Sequence, residues 1–272
     1  MPLEYLWLLP LGLAVGAYGT LIGAGGGFVL VPILLLLYPE ATTETITCIS
    51  LAVVFCNALS GALAYARLKR IEYRSGLLFS AATIPGAILG ALATPYLSRQ
   101  LFDGLFGLLL IAVSVFLLAR PESRRDKAQP CPPNHRTCTV TEANGTEHRF
   151  SYHQPLGIGV SLVVGFISSL LGIGGGIIHV PVMVHLLNFP VHIATATSQF
   201  VLANMALTGT MTHIVAGTFT QGIRRAVLLS IGVLLGAQLG ARLSGKMEGT
   251  RIIRWLALAL GAVGIRLVVA AV

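Results

Sequence analysis

Apolar residues run with little interruption over 3–21, 28–38, 46–66, 76–96 and 101–119, and again over 156–171, 177–188, 193–215, 225–243 and 251–272. A helix needs roughly 20 residues to cross about 30 Å of hydrocarbon, and most of these runs approach that length. Two do not. The runs 28–38 and 177–188 hold 11 and 12 residues, roughly 16–18 Å at the helical rise, and each follows a cluster of glycines. The pattern predicts an all-α polytopic membrane protein. Five helical segments lie on either side of a polar interval, and a broken, Gly-rich helical hairpin opens each set.

Composition strengthens this. Of 272 residues, 55 % are apolar and 10 % charged, against about 25 % charged in a soluble domain. A soluble fold of this size cannot hide so much apolar surface, so an aqueous enzyme and a disordered chain are both excluded. Of the 28 charged residues (18 basic, 10 acidic), 10 fall in the 30 positions from Arg120 to Arg149. The net charge of +8 does not indicate a nucleic-acid partner, because the basic residues sit at the ends of apolar runs, as orientation signals do. Cys48 and Cys56, inside an apolar run, read as packing residues. The first 20 residues lack a basic opening, so no cleavable leader is expected.

The two sets of segments are a repeat. Gly23-Ala24-Gly25-Gly26-Gly27-Phe28-Val29-Leu30-Val31-Pro32 matches Gly172-Ile173-Gly174-Gly175-Gly176-Ile177-Ile178-His179-Val180-Pro181 at an offset of 149. Thr47 and Ser50 match Thr195 and Ser198 at 148, as Ser60-Gly61 matches Thr208-Gly209, and Gly86–Ala91 matches Gly236–Ala241 at 150. Matching order over about 100 residues identifies a duplication. It divides the chain into a first repeat (1–119), a polar linker (120–153) and a second repeat (154–272). With an odd number of crossings in each half the second repeat is inverted. Inversion puts 14 Lys and Arg on one side (the 67–74 loop, the linker and the 242–254 loop) and 3 on the other (Arg99, Arg224, Arg225). The rich side is then cytoplasmic and both termini are external. A parallel duplication would divide the charges 12 to 5.

Within the linker, Thr137–Tyr152 holds two alternating, Thr-rich stretches around Asn144-Gly145. That predicts a cytoplasmic β-hairpin with a type I′ turn. The sequon Asn144-Gly145-Thr146 is explained by the same turn chemistry. Cys131 and Cys138 could pair only in an oxidising compartment.

Candidate chemistry sits at the glycine clusters. A helix broken inside a bilayer persists only where it lines a cavity or is packed by protein, and the half-helix after the break presents N–H groups at its positive pole. The alternative is that the glycines only permit close helix packing. Hydroxyls and amides follow at the start of the next long helix: Thr45, Thr47 and Ser50 in the first half, Thr195, Thr197, Ser198 and Gln199 in the second, with Asn57 and Asn204 deeper. Such groups can bind an oxyanion and release it, though hydroxyls also bond back to their own helix. The candidate substrate-binding residues are Gly25, Gly26, Gly27, Thr47, Ser50, Asn57, Gly174, Gly175, Gly176, Thr195, Ser198, Gln199 and Asn204. Ionisable residues inside apolar segments (Glu40, Glu44, His179, His185, His192, His213, Arg266) are candidates for proton relay. Enzyme, metal and cofactor fingerprints are absent, and Ala58 breaks the motif that Ser60-Gly61 would need as a protease nucleophile.

The doubled Gly-rich motif with Val-Pro, together with Phe189-Pro190-Val191-His192-Ile193-Ala194-Thr195-Ala196-Thr197-Ser198, resembles the sulfite exporter TauE/SafE family of bacterial membrane transporters. The resemblance spans both membrane halves. It implies a secondary transporter in the bacterial cytoplasmic membrane that exports sulfite or an organosulfonate such as sulfoacetate. A proton as coupling ion and a homodimer are compatible with it. Pro39-Glu40-Ala41-Thr42-Thr43-Glu44 departs from the family's usual apolar approach to the first Thr/Ser pair. A channel-like anion pore and an intramembrane enzyme are the competing classes.

Overall fold

The computed structural model describes residues 6–119, 135–218, 222–244 and 249–271. Among the described residues, ten α-helices and one β-hairpin follow the predicted runs: α1 (Leu8–Ile22), α2 (Gly27–Leu37), α3 (Thr43–Arg67), α4 (Tyr73–Ala93), α5 (Arg99–Ala119), β1 (His135–Thr141), β2 (Glu147–His153), α6 (Gln154–Leu171), α7 (Gly176–His185), α8 (Val191–Val215), α9 (Ile223–Leu243) and α10 (Gly249–Ala271). Apart from the hairpin, the described residues are those of an all-α membrane protein. Five helices among the described residues are long and apolar enough to cross a bilayer: α3, α4, α5, α6 and α9. The 25-residue α8 misses that threshold because Thr, Ser, Gln and Asn dilute its apolar character.

Equivalent helices of the two halves exchange partners. Glycines let α1 lie directly on α9: a Cβ on Gly12 would stand 2.5 Å from the Leu229 carbonyl, and one on Gly236 or Gly240 would strike the carbonyls of Leu13 and Ala17. The counterpart α6 lies on α4 in the same way, with Gly165 against the Thr83 carbonyl and Gly86 and Gly90 against those of Leu162 and Phe166. Between α5 and α10 the contact is mutual, Gly107 meeting the Gly264 carbonyl and Gly264 that of Gly107. Close approach of this kind is what small residues give helices in lipid, where apolar burial supplies little drive.

The short helices double back. At the start of α6, a Cβ on Gly157 would meet Phe79 and Leu187, while Met183 near the end of α7 and Leu187 just past it share one buried cluster with Phe79 and Tyr152. Both limbs of α6–α7 therefore open at the hairpin end. In the first half, Arg225 at the start of α9 covers the Tyr38 ring at 3.7 Å, just past α2, and α1 begins against that same stretch of α9.

The hairpin pairs His135 with His153 through Thr141 with Glu147. Its turn differs from the expected type I′. Glu142 accepts from Gly145 N at 3.0 Å and its own N–H donates to Thr146 O at 2.9 Å, while Gly145 alone takes a positive φ, +86°. This is a type I turn closed by a glycine bulge, a three-residue loop. The Asn144 side chain accepts from Thr146 N at 2.9 Å, and that bond holds Asn144 out of the left-handed conformation a type I′ turn requires. The hairpin docks on the α3–α4 loop. Ala143 N donates to Leu68 O, Arg70 Nε meets Glu142 Oε2 at 2.9 Å, and Tyr152 shares a 2.7 Å bond with Ser75. Cys138 is a buried free thiol; Cys131 lies outside the described residues.

Candidate functional site

Both glycine clusters form breaks that only glycine adopts easily. Gly23, Gly25 and Gly26 have φ of +80°, +77° and +82°; Gly172, Gly174 and Gly175 have +70°, +82° and +69°. The left-handed region carries no Cβ penalty for glycine. Gly26 and Gly175 then cap the starts of α2 and α7.

The two breaks touch. A Cβ on Gly27 would sit 2.6 Å from the Ile173 carbonyl, and one on Gly176 closer still to that of Gly23. Each break is also stitched to the long polar helix of the opposite half. Ser50 Oγ donates to Gly172 O at 2.6 Å and Ser198 Oγ to Gly23 O at 3.3 Å. Gly172 packs on Thr47 and Gly23 on Thr195, while Gly25 and Gly174 both lie against Val54. The residues crowding the breaks are hydroxyl, amide and aliphatic. The starts of α2 and α7 face carbonyls of the other break, so in this arrangement the breaks are sealed against one another.

One polar cluster lies beside the seal. Gln199 Nε2 donates to Gly19 O at 3.3 Å, the same carbonyl that accepts from Ala24 N and Gly25 N in the first break. Thr20 Oγ1 donates to Asn57 Oδ1 at 3.1 Å, and Tyr65 Oη to Thr20 O at 3.0 Å. Thr20, Asn57 and Gln199 of this cluster are wholly buried, as are Thr47 beside Gly172, Ser168 beside Gly175 and Ser169 beside Gly209. Five polar atoms among them have no partner: Thr47 Oγ1, Asn57 Nδ2, Ser168 Oγ, Ser169 Oγ and Gln199 Oε1. A buried polar group left unpaired costs about 1–3 kcal/mol, so such a concentration calls for a role other than stability.

Of the residues singled out in the sequence, the structure brings together the six glycines, Thr47, Ser50, Asn57, Thr195, Ser198 and Gln199. Asn204 is not joined to them: its amide donates to Phe200 O at 2.9 Å and Ser80 Oγ at 3.3 Å, facing α4. Thr197 is engaged by Glu72 N. His179 is buried against Ser161 and Phe79, and His213 meets Thr218. Glu40 and Arg266 are exposed, and Glu44 lies in the first turn of α3. Thr20, Ser168 and Ser169 were not foreseen. Their signal is the repeat itself, since Thr20 and Ser169 stand at the same 149-residue offset as the glycines.

The model of the family described as sulfite exporter TauE/SafE matches residues 8–267. The probable membrane transporter protein YunE of Bacillus subtilis is 32 % identical over 98 % of this chain and 98 % of its own. A probable membrane transporter protein of Methanocaldococcus jannaschii is 27 % identical over 79 % of this chain and 76 % of its own. One from Haemophilus influenzae is 27 % identical over 65 % and 59 %. No solved structure matches. The chain belongs to the TauE/SafE family: it is a multi-pass membrane transporter, not an enzyme.

Proposed function

We propose that the protein is a secondary transporter that exports a small sulfur-containing anion, sulfite or an organosulfonate, across a bacterial cytoplasmic membrane. The observation that carries the reading is the unpartnered buried polar atoms beside the glycine breaks: Thr47 Oγ1 on the residue packed against Gly172, Ser168 Oγ at Gly175, and Gln199 Oε1, whose amide nitrogen bonds the Gly19 carbonyl of the first break. The two halves act as inverted repeats, with the linker hairpin in the cytoplasm, both termini outside and the breaks near the bilayer midplane. Reciprocal partner exchange between α1–α9 and α6–α4 supports this, as does the 14 to 3 distribution of basic residues. The present arrangement is the occluded one. Separating the breaks frees the N–H groups at the starts of α2 and α7 and the hydroxyls of Thr47 and Thr195 to receive the anion. No fixed ion pair holds the ligand, so it can leave on the other side.

The test is transport by purified protein in liposomes. Saturable uptake of labelled sulfite or sulfoacetate, driven by an imposed gradient and lost in Thr195→Val and Ser198→Ala, is expected. Flux that does not saturate would make the protein a pore.

A further inference from the structure

The polar cluster beside the breaks is one-sided, and its free atoms differ in kind. The repeat offset of 148 carries Asn57 onto Met205, Gln199 back onto Leu51, and Tyr65 onto His213. The counterpart of the amide cluster is therefore apolar at its two central positions. Around Ser169 the neighbours reflect this, since a Cβ on Gly209 meets Ser169 Oγ and the Leu51 methyls. In the cluster itself a Cβ on Gly61 would meet Thr20 at 3.0 Å and Gln199 Cδ at 3.3 Å. Thr20, Asn57, Gly61 and Gln199 thus converge on one spot. The bonds already made fix what remains. The Gly19 carbonyl can only accept, so the Gln199 nitrogen faces it and Oε1 is left over; Asn57 Oδ1 takes the Thr20 hydroxyl and leaves Nδ2. One donor and one acceptor are on offer, both wholly buried.

We propose that this cluster selects a monoprotonated oxyanion, accepting from its acid hydroxyl at Gln199 Oε1 and donating to an ionised oxygen from Asn57 Nδ2. The inference rests on the transport reading above and narrows it. A fully ionised oxyanion presents only acceptors, and a buried amide oxygen repels them. A site built to bond a hydroxyl rejects the analogue that lacks one, because its own acceptor is then left unpaired. Hydrogen sulfite carries that hydroxyl. The sulfite dianion and an organosulfonate do not. The cluster is packed tight in the occluded state, so the anion meets it when α1 moves away from α3.

The test uses the full-length protein in detergent, with affinity read by calorimetry for sulfite and for methanesulfonate on the acid and alkaline sides of sulfite's second ionisation. Methanesulfonate keeps one charge state throughout and reports any effect of pH on the protein itself. Sulfite affinity per total sulfite is expected to fall on the alkaline side with the hydrogen sulfite fraction, and methanesulfonate to bind roughly tenfold or more weakly. Gln199→Leu should erase that preference, leaving the two anions within about threefold. Equal affinity for methanesulfonate, or sulfite affinity independent of pH, overturns the proposal. If methanesulfonate then proves to be carried in a Ser198-dependent way, the transport reading stands without it. Failure of both anions to bind or move overturns both.

Discussion

The hydroxyl of Ser50 in the first half donates to the carbonyl of Gly172 in the second at 2.6 Å. Its repeat counterpart Ser198 returns the bond to Gly23 at 3.3 Å. Each break thus lends a carbonyl to the helix that follows the other. Removing either hydroxyl leaves a buried carbonyl short of a partner, a loss of about 1–3 kcal/mol. Ser50→Ala, which removes the shorter bond, should lower the melting temperature of the solubilised protein more than Ser198→Ala. Equal shifts would mean that the two stitches hold equally.

Backbone contacts between the breaks predict a sharp steric response. Gly27→Ala and Gly176→Ala place a methyl against carbonyls that cannot rotate away, and they should abolish transport by wedging the breaks apart. Gly159→Ala is the control, since nothing lies within 4 Å of its added Cβ. It should be silent, or stabilise slightly as alanine does within a helix. The measurement is initial transport rate at matched expression.

Topology can be read chemically. Thr146 is exposed at the tip of the hairpin. In a Cys131→Ser background, Thr146→Cys should react with an impermeant thiol reagent in inside-out vesicles and stay unlabelled in intact cells. Labelling from outside would place the linker on the external face and reverse the assignment.

The hairpin's attachment can be followed through Cys138. Burial pushes its thiol pKa up, and the Glu72 carboxylate adds to the rise. Less thiolate is present near neutrality than at an ordinary cysteine, so alkylation should be slow and should speed up as pH increases. Glu142→Gln removes the charge that Arg70 and His148 share. Losing one partner of a partly buried pair loosens the hairpin's hold on the α3–α4 loop, so alkylation of Cys138 should accelerate in that variant. An unchanged rate would show that the apolar side of the hairpin holds it alone.

What the sequence revealed and what it hid divide along physical lines. Run length and period are local, so all ten segments, the short α2 and α7 and the hairpin were legible. The glycine breaks predicted a helical hairpin at the start of each repeat, but which ends meet is not local: the cluster of Met183 and Leu187 with Phe79 and Tyr152, close to Gly157, shows that α6 and α7 both open at the linker hairpin. The turn type depended on a side chain, because Asn144 spends its acceptor on Thr146 N. Asn57 and Asn204 looked paired in the sequence, yet they stand 147 apart where the helices match at 148. One residue on a helix is about 100° of rotation, enough to turn Asn204 toward α4.

The exchange of partners also constrains how the protein is made. While only the first half has left the ribosome, α1 lacks the α9 surface its glycines fit, and the Gly23 carbonyl lacks Ser198. In hydrocarbon an unpaired backbone group is costly, so the Gly23 carbonyl waits for Ser198 in α8, some 45 residues beyond the linker, and α1 waits for its packing surface until α9, some 90 residues beyond it. A chain truncated before α9 should remain a substrate for membrane quality control rather than a half-active fragment.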